Sequence, residues 1–316
     1  MTPRKHDRGQ AYVISILFLV VLLVISAAVL DIGSWYRSQR ALQATVDAAA
    51  LAGAQELPYD TAAARSLAFS YAAKNGGGVT STGVTFSTKL VANDTITVKG
   101  SMPAKGFFAK VFGVKSVTVH ATASARASNV SQVYGVAPIT VNYKHPLLNC
   151  TRGANPTCSP TFGVATTLDL EDIHQPGSGD GSGAFGLINL DQNDSSGTAS
   201  SGTLANWVTN GYDQLMNLGK YYSVTSAKFN SSEFVAAMQS MIGQELLFPV
   251  YRLLTGPGVN ATYDIIGWVG FRLTGFDPNG TPAVVNGSFT KYIANGIEAT
   301  SGGKPSFGVR DISLTQ

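Results

Sequence analysis

The chain has 316 residues, and only 13% are charged, about half the usual share of ~25%. Its net charge of +3 sits at one end: within the first forty residues Arg4, Lys5, Arg8, Arg37 and Arg40 face only Asp7 and Asp31, while the remainder carries 17 basic and 17 acidic residues. A body without net charge argues against nucleic acid as a partner, which needs a basic face, and the length fits one large or two modest domains.

The first element in chain order is an apolar run, Ala11–Leu30, without charge, Pro or Gly. Twenty helical residues span about 30 Å, the thickness of a bilayer's hydrocarbon core. Tyr12 stands at its start and Trp35-Tyr36 follows it, at the levels where interfacial aromatics belong. Arg4, Lys5 and Arg8 before the run keep the N-terminus on the cytoplasmic side, against the weaker pull of Arg37 and Arg40 after it. The expected location is therefore a single-pass anchor in a cytoplasmic membrane with the bulk of the chain outside. The rival reading is a cleaved signal peptide, with Ser26-Ala27-Ala28 as the cleavage site.

No Pro occurs from Ala11 to Leu57, so the helix is expected to continue to Leu57 and stop at Pro58. Leu42, Val46, Ala49, Gly53 and Leu57 recur at three- and four-residue steps and form one stripe beyond the membrane. The small residues in that stripe permit close backbone approach. Its partner is open: other subunits, the chain's own ectodomain, or nothing, if the segment is a plain stalk.

Residues 8–10 (Arg-Gly-Gln), the apolar run and LDIGSWYRSQRALQATVDAAALAGAQEL at 30–57 resemble the N-terminal segment of the TadE/TadG-like Flp pilus-assembly proteins. These are bacterial single-pass proteins of the tight-adherence (Tad) pilus and secretion machinery. The residues that carry the resemblance are Asp31 and Gly33 at the exit of the span, the Arg37/Arg40 pair, and the block from Leu42 to Ala54 containing Asp47. The resemblance implies a structural or assembly role in the cell envelope, with protein partners in the pilus or secretion system, the cell wall as a further partner, and no cofactor. Gly9 is followed by Gln10, Ala11, Tyr12, Val13 and Ile14, so the Glu five residues on that marks processed prepilin-like members is missing. That departure implies the unprocessed, TadG-like accessory role.

Further along, Asp60 is placed to cap a helix over 61–74, which Asn75-Gly76-Gly77-Gly78 ends. Alternating apolar residues predict a hairpin (Val84, Phe86, Leu90, then Ile96, Val98) and a strand over 117–125, with GFFAKVFG at 106–113 a short helix between them. Apolar stretches at 133–141, 162–170, 184–190, 246–254, 263–276 and 282–290 read as strands, with Pro249 demoting its run to a sheet edge. Helices are expected at 204–218 and 232–242. The fold class is α+β: a membrane helix continuing into a long Ala-rich helix, a small α+β module, then a mostly β ectodomain. The expected organisation is 1–30 tip and anchor, 31–128 helix and small module, and 129–316 β-rich domain.

Cys150 and Cys158 flank a Gly/Pro-containing loop and, outside the cytosol, most simply form a disulfide, the alternative being free thiols. Enzyme signatures fail. Gly181-x-Gly183-x-x-Gly186 matches a dinucleotide pattern in letters but not in context, and no nucleophile elbow or His-Glu-x-x-His occurs. Asp169, Glu171, Asp172, Asp180, Asp191 and Asp194 are weak calcium candidates whose spacing fits no EF-hand loop. No catalytic residues are assigned, and the expectation is a non-enzyme. The competing function is an adhesin or ligand-binding domain on a membrane tether.

Overall fold

The structure, a computed structural model, describes residues 7–153, 156–170, 184–191, 199–256, 258–294, 296–299 and 306–315. The chain folds α+β and divides into two compact units: residues 1–127 with 312–316, and residues 128–311.

Unit 1 begins with α1 (Asp7–Ala54), 48 residues without a break. The helix starts four residues before Ala11 and ends three before Leu57. Residues 55–60 continue as turns, closed by the N–H groups of Gln55, Glu56 and Leu57 on the carbonyls of Ala52, Gly53 and Ala54. Pro58 has no N–H to extend the ladder. Next comes α2 (Thr61–Lys74), whose first turn donates the N–H groups of Ala62 and Ala63 to Asp60 Oδ1 at 2.9 and 2.8 Å. Two otherwise orphaned helix donors are satisfied there, as the sequence predicts.

The hairpin of β1 (Val79–Ser87) and β2 (Thr95–Lys105) pairs Val84 with Val98 and Phe86 with Ile96. Its connection is tied by Asp94, whose carboxylate accepts the N–H groups of Lys89, Leu90 and Val91. β3 (Ser116–Val133) runs antiparallel to β2, from Thr95↔Arg126 to Lys105↔Ser116. Val119, Ala121, Ala123 and Ala125 turn inward, while His120 is exposed on the opposite face. The strand then continues past Ala127 into unit 2.

The core of unit 1 answers the question left open by the alanine-rich segment. Leu42, Val46, Ala49, Ala50 and Leu57 are buried with Ala64, Ala68 and Ala72 of α2 and Ile96 and Val98 of β2. The helix that leaves the apolar span packs into its own unit. Gly53 sets the spacing: a Cβ there would lie 2.6 Å from Ile96 Cδ1 and 2.9 Å from the Ala64 carbonyl oxygen. Only hydrogen fits between α1 and α2 at that point.

Unit 2 contains β4 (Ile139–Asn142), β5 (Ala165–Leu170), β6 (Ala184–Leu187), α3 (Ser201–Asn210), β7 (Met216–Asn217), β8 (Gly219–Tyr222), α4 (Ser232–Ser240), β9 (Glu245–Thr255), β10 (Thr262–Asp277), β11 (Val284–Thr290), β12 (Tyr292–Ile293) and β13 (Gly296–Glu298). Last comes β14 (Val309–Thr315), beside β3; its residues from Ile312 onward belong to unit 1. The main sheet of unit 2 runs β11-β5-β6-β4-β9-β10, and β11 also pairs with β10, so the ring closes into a barrel. Closure removes free edges. Two of its pairings, β4–β9 and β5–β6, are parallel. β8 pairs with the first residues of β10, ahead of β11.

Large rings fill this unit. Phe248 stacks on Phe271 at 5.0 Å between centroids, Phe271 meets Phe289 edge-on at 5.5 Å, and Tyr251 meets Tyr263 at 4.8 Å. Such pairs add about 0.5–1.5 kcal/mol each beyond the area they bury.

Two sequence expectations are corrected here. Pro249 lies in β9, which has β4 on one side and β10 on the other, so it is not at an edge. The ladder beside it is interrupted: Ala137 N–H bonds Leu247 and Tyr143 N–H bonds Tyr251, while the Pro249 carbonyl accepts the Thr140 hydroxyl at 3.0 Å. The helix expected over 204–218 instead spans 201–210, capped by Ser200 Oγ on Thr203 N–H. Gly211 ends it at φ +75°, packed so tightly on Gly135 that a Cβ would lie 2.5 Å from its Cα.

Candidate functional site

Among the described residues, one helix is long and apolar enough to cross a membrane, and its apolar part is bare. From Ala11 to Leu30 every side chain except Ala27 is exposed, with Ile14, Leu17 and Phe18 each more than 60% open. Within the same helix, Leu42, Val46 and Ala49 are wholly covered. The transition between the two regimes is at Asp31.

Asp31 is 3% exposed although it follows directly on the apolar run. A carboxylate taken from water without partners is costly. Here three consecutive backbone N–H groups supply the partners: Phe107 donates to Oδ1 at 2.6 Å, Phe108 lies 3.1 Å from each oxygen, and Ala109 donates to Oδ2 at 2.5 Å. These donors open the 3-10 turn Ala109–Phe112, in the loop between β2 and β3. Charge-assisted bonds of this kind are stronger than neutral ones. Asp31 thus fastens a loop more than seventy residues away to the point where α1 leaves its apolar stretch.

Above this fastening the helix is tied at successive turns. Gln43 Nε2 donates both to Asp47 Oδ1 at 2.8 Å and to the Thr122 carbonyl at 3.0 Å, joining α1 to β3. Thr45 Oγ1 donates to the Asn75 carbonyl at 2.5 Å, joining α1 to the end of α2. Below it, Phe108 and Phe112 of the loop and Val24, Ala27 and Ala28 of the helix line an open apolar groove of about 210 Å³.

The residues singled out by sequence fall into three groups. The packing stripe, Leu42, Val46, Ala49, Gly53 and Leu57, lies in one buried row inside unit 1. Asp31 and Asp47 each hold a tertiary or intrahelical bond, whereas Gly33 is exposed and a Cβ there would touch nothing within 4 Å. Cys150 and Cys158 are disulfide-bonded, with their Cα atoms 4.1 Å apart. Of the acidic candidates, Asp169 sits in β5 and Asp191 after β6, while Glu171, Asp172, Asp180 and Asp194 lie outside the described residues. Among the described residues no group of three or more His, Cys, Asp and Glu converges.

The loop at 106–115 is the part of the site that sequence reasoning missed. Its signal was present: four large apolar residues among the six between Gly106 and Gly113, flanked by Lys105 and Lys115. Read only as a short helix between two strands, that run was given no role.

No curated protein and no solved structure matches this chain. Residues 9–56, which hold the bare apolar span, Asp31, Asp47 and the packing stripe up to Gly53, match the family described as putative Flp pilus-assembly, TadE/G-like.

Proposed function

We propose that this chain is a structural component of a bacterial Tad/Flp-type pilus or secretion system, anchored in the cytoplasmic membrane by residues 11–30. Its N-terminus is cytoplasmic, everything from residue 31 onward is extracytoplasmic, and its role is that of an unprocessed, TadG-like accessory protein rather than a catalyst. The observation that carries the reading is the coincidence of two facts on one segment. Residues 9–56 match a pilus-assembly family, and the same helix leaves its apolar run, Ala11–Leu30, exposed at every position but Ala27 before entering a protein core. A bilayer is the medium that stabilises such a surface, at roughly 25 cal/mol per Å² of apolar area. The Cys150–Cys158 disulfide is of a kind that persists outside the cytosol. The absence of Glu near Gly9 supports the unprocessed role.

The test is removal of the chain from its own host, followed by electron-microscopic counting of surface filaments and crosslinking of the restored full-length protein in intact cells. Loss of filaments, restored by the complete chain, together with crosslinks to pilus-machinery components is the expected outcome. Normal filament numbers without the chain would refute the assembly role.

A further inference from the structure

The loop that Asp31 holds presents its apolar side chains outward. Val111 is 82% exposed and Phe112 75%, the two most exposed large apolar side chains among the described residues, and Phe107 of the same loop is 68% exposed. A contiguous apolar patch of this kind on a folded surface marks an interaction site. Three lysines, Lys105, Lys110 and Lys115, surround it and are exposed. No Asp or Glu occurs between Asp94 and Asp169, so the patch carries positive charge alone along its own segment.

Its position selects the occupant. Phe108 and Phe112 share a groove with Val24, Ala27 and Ala28, residues inside the apolar span. Phe107 and Phe108 share another with Val29, Leu30 and Arg37. Seven residues separate Val24 from Asp31, which is about 10 Å along a helix. The loop therefore hangs below the carboxylate that holds it, alongside the last two turns of the segment that a bilayer would cover. Whatever surrounds Val24 to Leu30 also surrounds Phe108 and Phe112.

We propose that residues 105–115 form a second membrane contact, a wedge in the leaflet at the exit end of α1. Phe107, Phe108, Val111 and Phe112 enter the boundary between headgroups and acyl chains, and Lys105, Lys110 and Lys115 engage anionic headgroups. Apolar rings beside basic side chains are the composition of interfacial segments. The three N–H bonds to Asp31 then have a second consequence: they keep a carboxylate satisfied where neither water nor lipid would do so. The wedge rests on the anchor reading above.

Both cysteines are disulfide-bonded, so a single introduced cysteine gives a unique label on the full-length chain. Three variants, Leu19→Cys, Val111→Cys and Ser70→Cys, carry an environment-sensitive fluorophore in vesicles of phosphatidylcholine with phosphatidylglycerol and an acyl-chain quencher. The expected result is loss of fluorescence at positions 19 and 111 and none at 70, which lies exposed on α2. Replacing Lys105, Lys110 and Lys115 together with Gln should weaken quenching at 111 when phosphatidylglycerol is present and leave it unchanged in phosphatidylcholine alone. Quenching at 19 but not at 111 overturns the wedge and leaves the anchor standing. A blue-shifted but unquenched label at 111 also overturns it and assigns the patch to a protein surface. No quenching at 19 removes the anchor and the wedge together.

Discussion

The two units bury their apolar surface by opposite means. In unit 1 the core is made largely of alanine: Ala49, Ala50, Ala54, Ala64, Ala68, Ala72, Ala121, Ala123, Ala125 and Ala127, with Leu42, Val46 and Ile96 among them. Among the described residues of unit 1 no aromatic side chain is fully buried; Trp35, Phe69 and Phe86 stay at the margin of its core. In unit 2 the fully buried side chains include Phe185, Phe229, Phe248, Phe271, Phe289, Tyr251 and Tyr263. The difference follows from geometry. A barrel must fill the space inside a ring of strands, so it needs volume. A helix laid between another helix and a sheet gains most from approach, so it needs small side chains and many backbone-level contacts. A fold stabilised by closeness is sensitive to added atoms, and one stabilised by volume to removed ones.

That contrast can be broken or sharpened experimentally, with hydrogen exchange on the solubilised full chain reading each unit separately. The largest effect is expected from Phe271→Ala. It removes the ring between Phe248 and Phe289 and should cost roughly 3–5 kcal/mol of protection in unit 2. Amides of α2 in unit 1 should keep their protection. Equal losses in both units would mean that the two cores melt as one.

Acid should separate the units next. His145 is buried and holds its ring neutral: Nδ1 accepts the Leu147 N–H at 3.1 Å and Nε2 bonds Thr166 Oγ1 at 3.0 Å. Burial lowers its pKa to about 4. The folded value lies below the unfolded one of ~6.5, so the contribution is complete above pH ~6.5 and is lost as pH falls towards 4. At most it amounts to about 3 kcal/mol at the acid end. In unit 1 the corresponding group is Asp94. Burial alone would raise its pKa, but the N–H groups of Val91, Leu90 and Lys89 and the Thr95 hydroxyl outweigh it and lower the value. Its contribution is present above the ordinary carboxylate range and is lost below it. Unit 2 should therefore loosen at a higher pH than unit 1, and His145→Gln should flatten the first step. Simultaneous loosening would show that other groups control both.

The smallest effect is expected at Gly53. Gly53→Val forces atoms against the Ala64 carbonyl and Ile96 and should cost roughly 1–3 kcal/mol, confined to unit 1. A neutral result would show that α1 and α2 can move apart freely, which contradicts an alanine core stabilised by approach.

What could be read from sequence was what local chemistry decides. Asp60 before an alanine-rich segment marked the start of α2, and the three-four spacing from Leu42 to Leu57 marked one buried face. The nature of that face's partner was not written locally, because a stripe of small residues fits any close neighbour. Barrel closure was likewise invisible, since pairing β5 with β11 and β4 with β9 depends on register between distant segments. Pro249 misled because the rule against proline inside a sheet assumes an uninterrupted ladder, and here the ladder has a gap. Asp31 was noticed for its resemblance, yet its bonds to residues 107–109 could have been sought on physical grounds. A carboxylate ending an apolar run must find donors somewhere.

The unbroken course of α1 has a mechanical consequence. Tyr12 and Ala54 belong to one shaft of about 65 Å, with no joint between its exposed apolar stretch and the buried stripe. Under the proposed anchoring, load applied to the folded part of unit 1 would pass straight down the helix axis into the bilayer. Each inserted or deleted residue near Leu30 would turn the packed part of unit 1 by about 100° relative to the apolar stretch of the shaft.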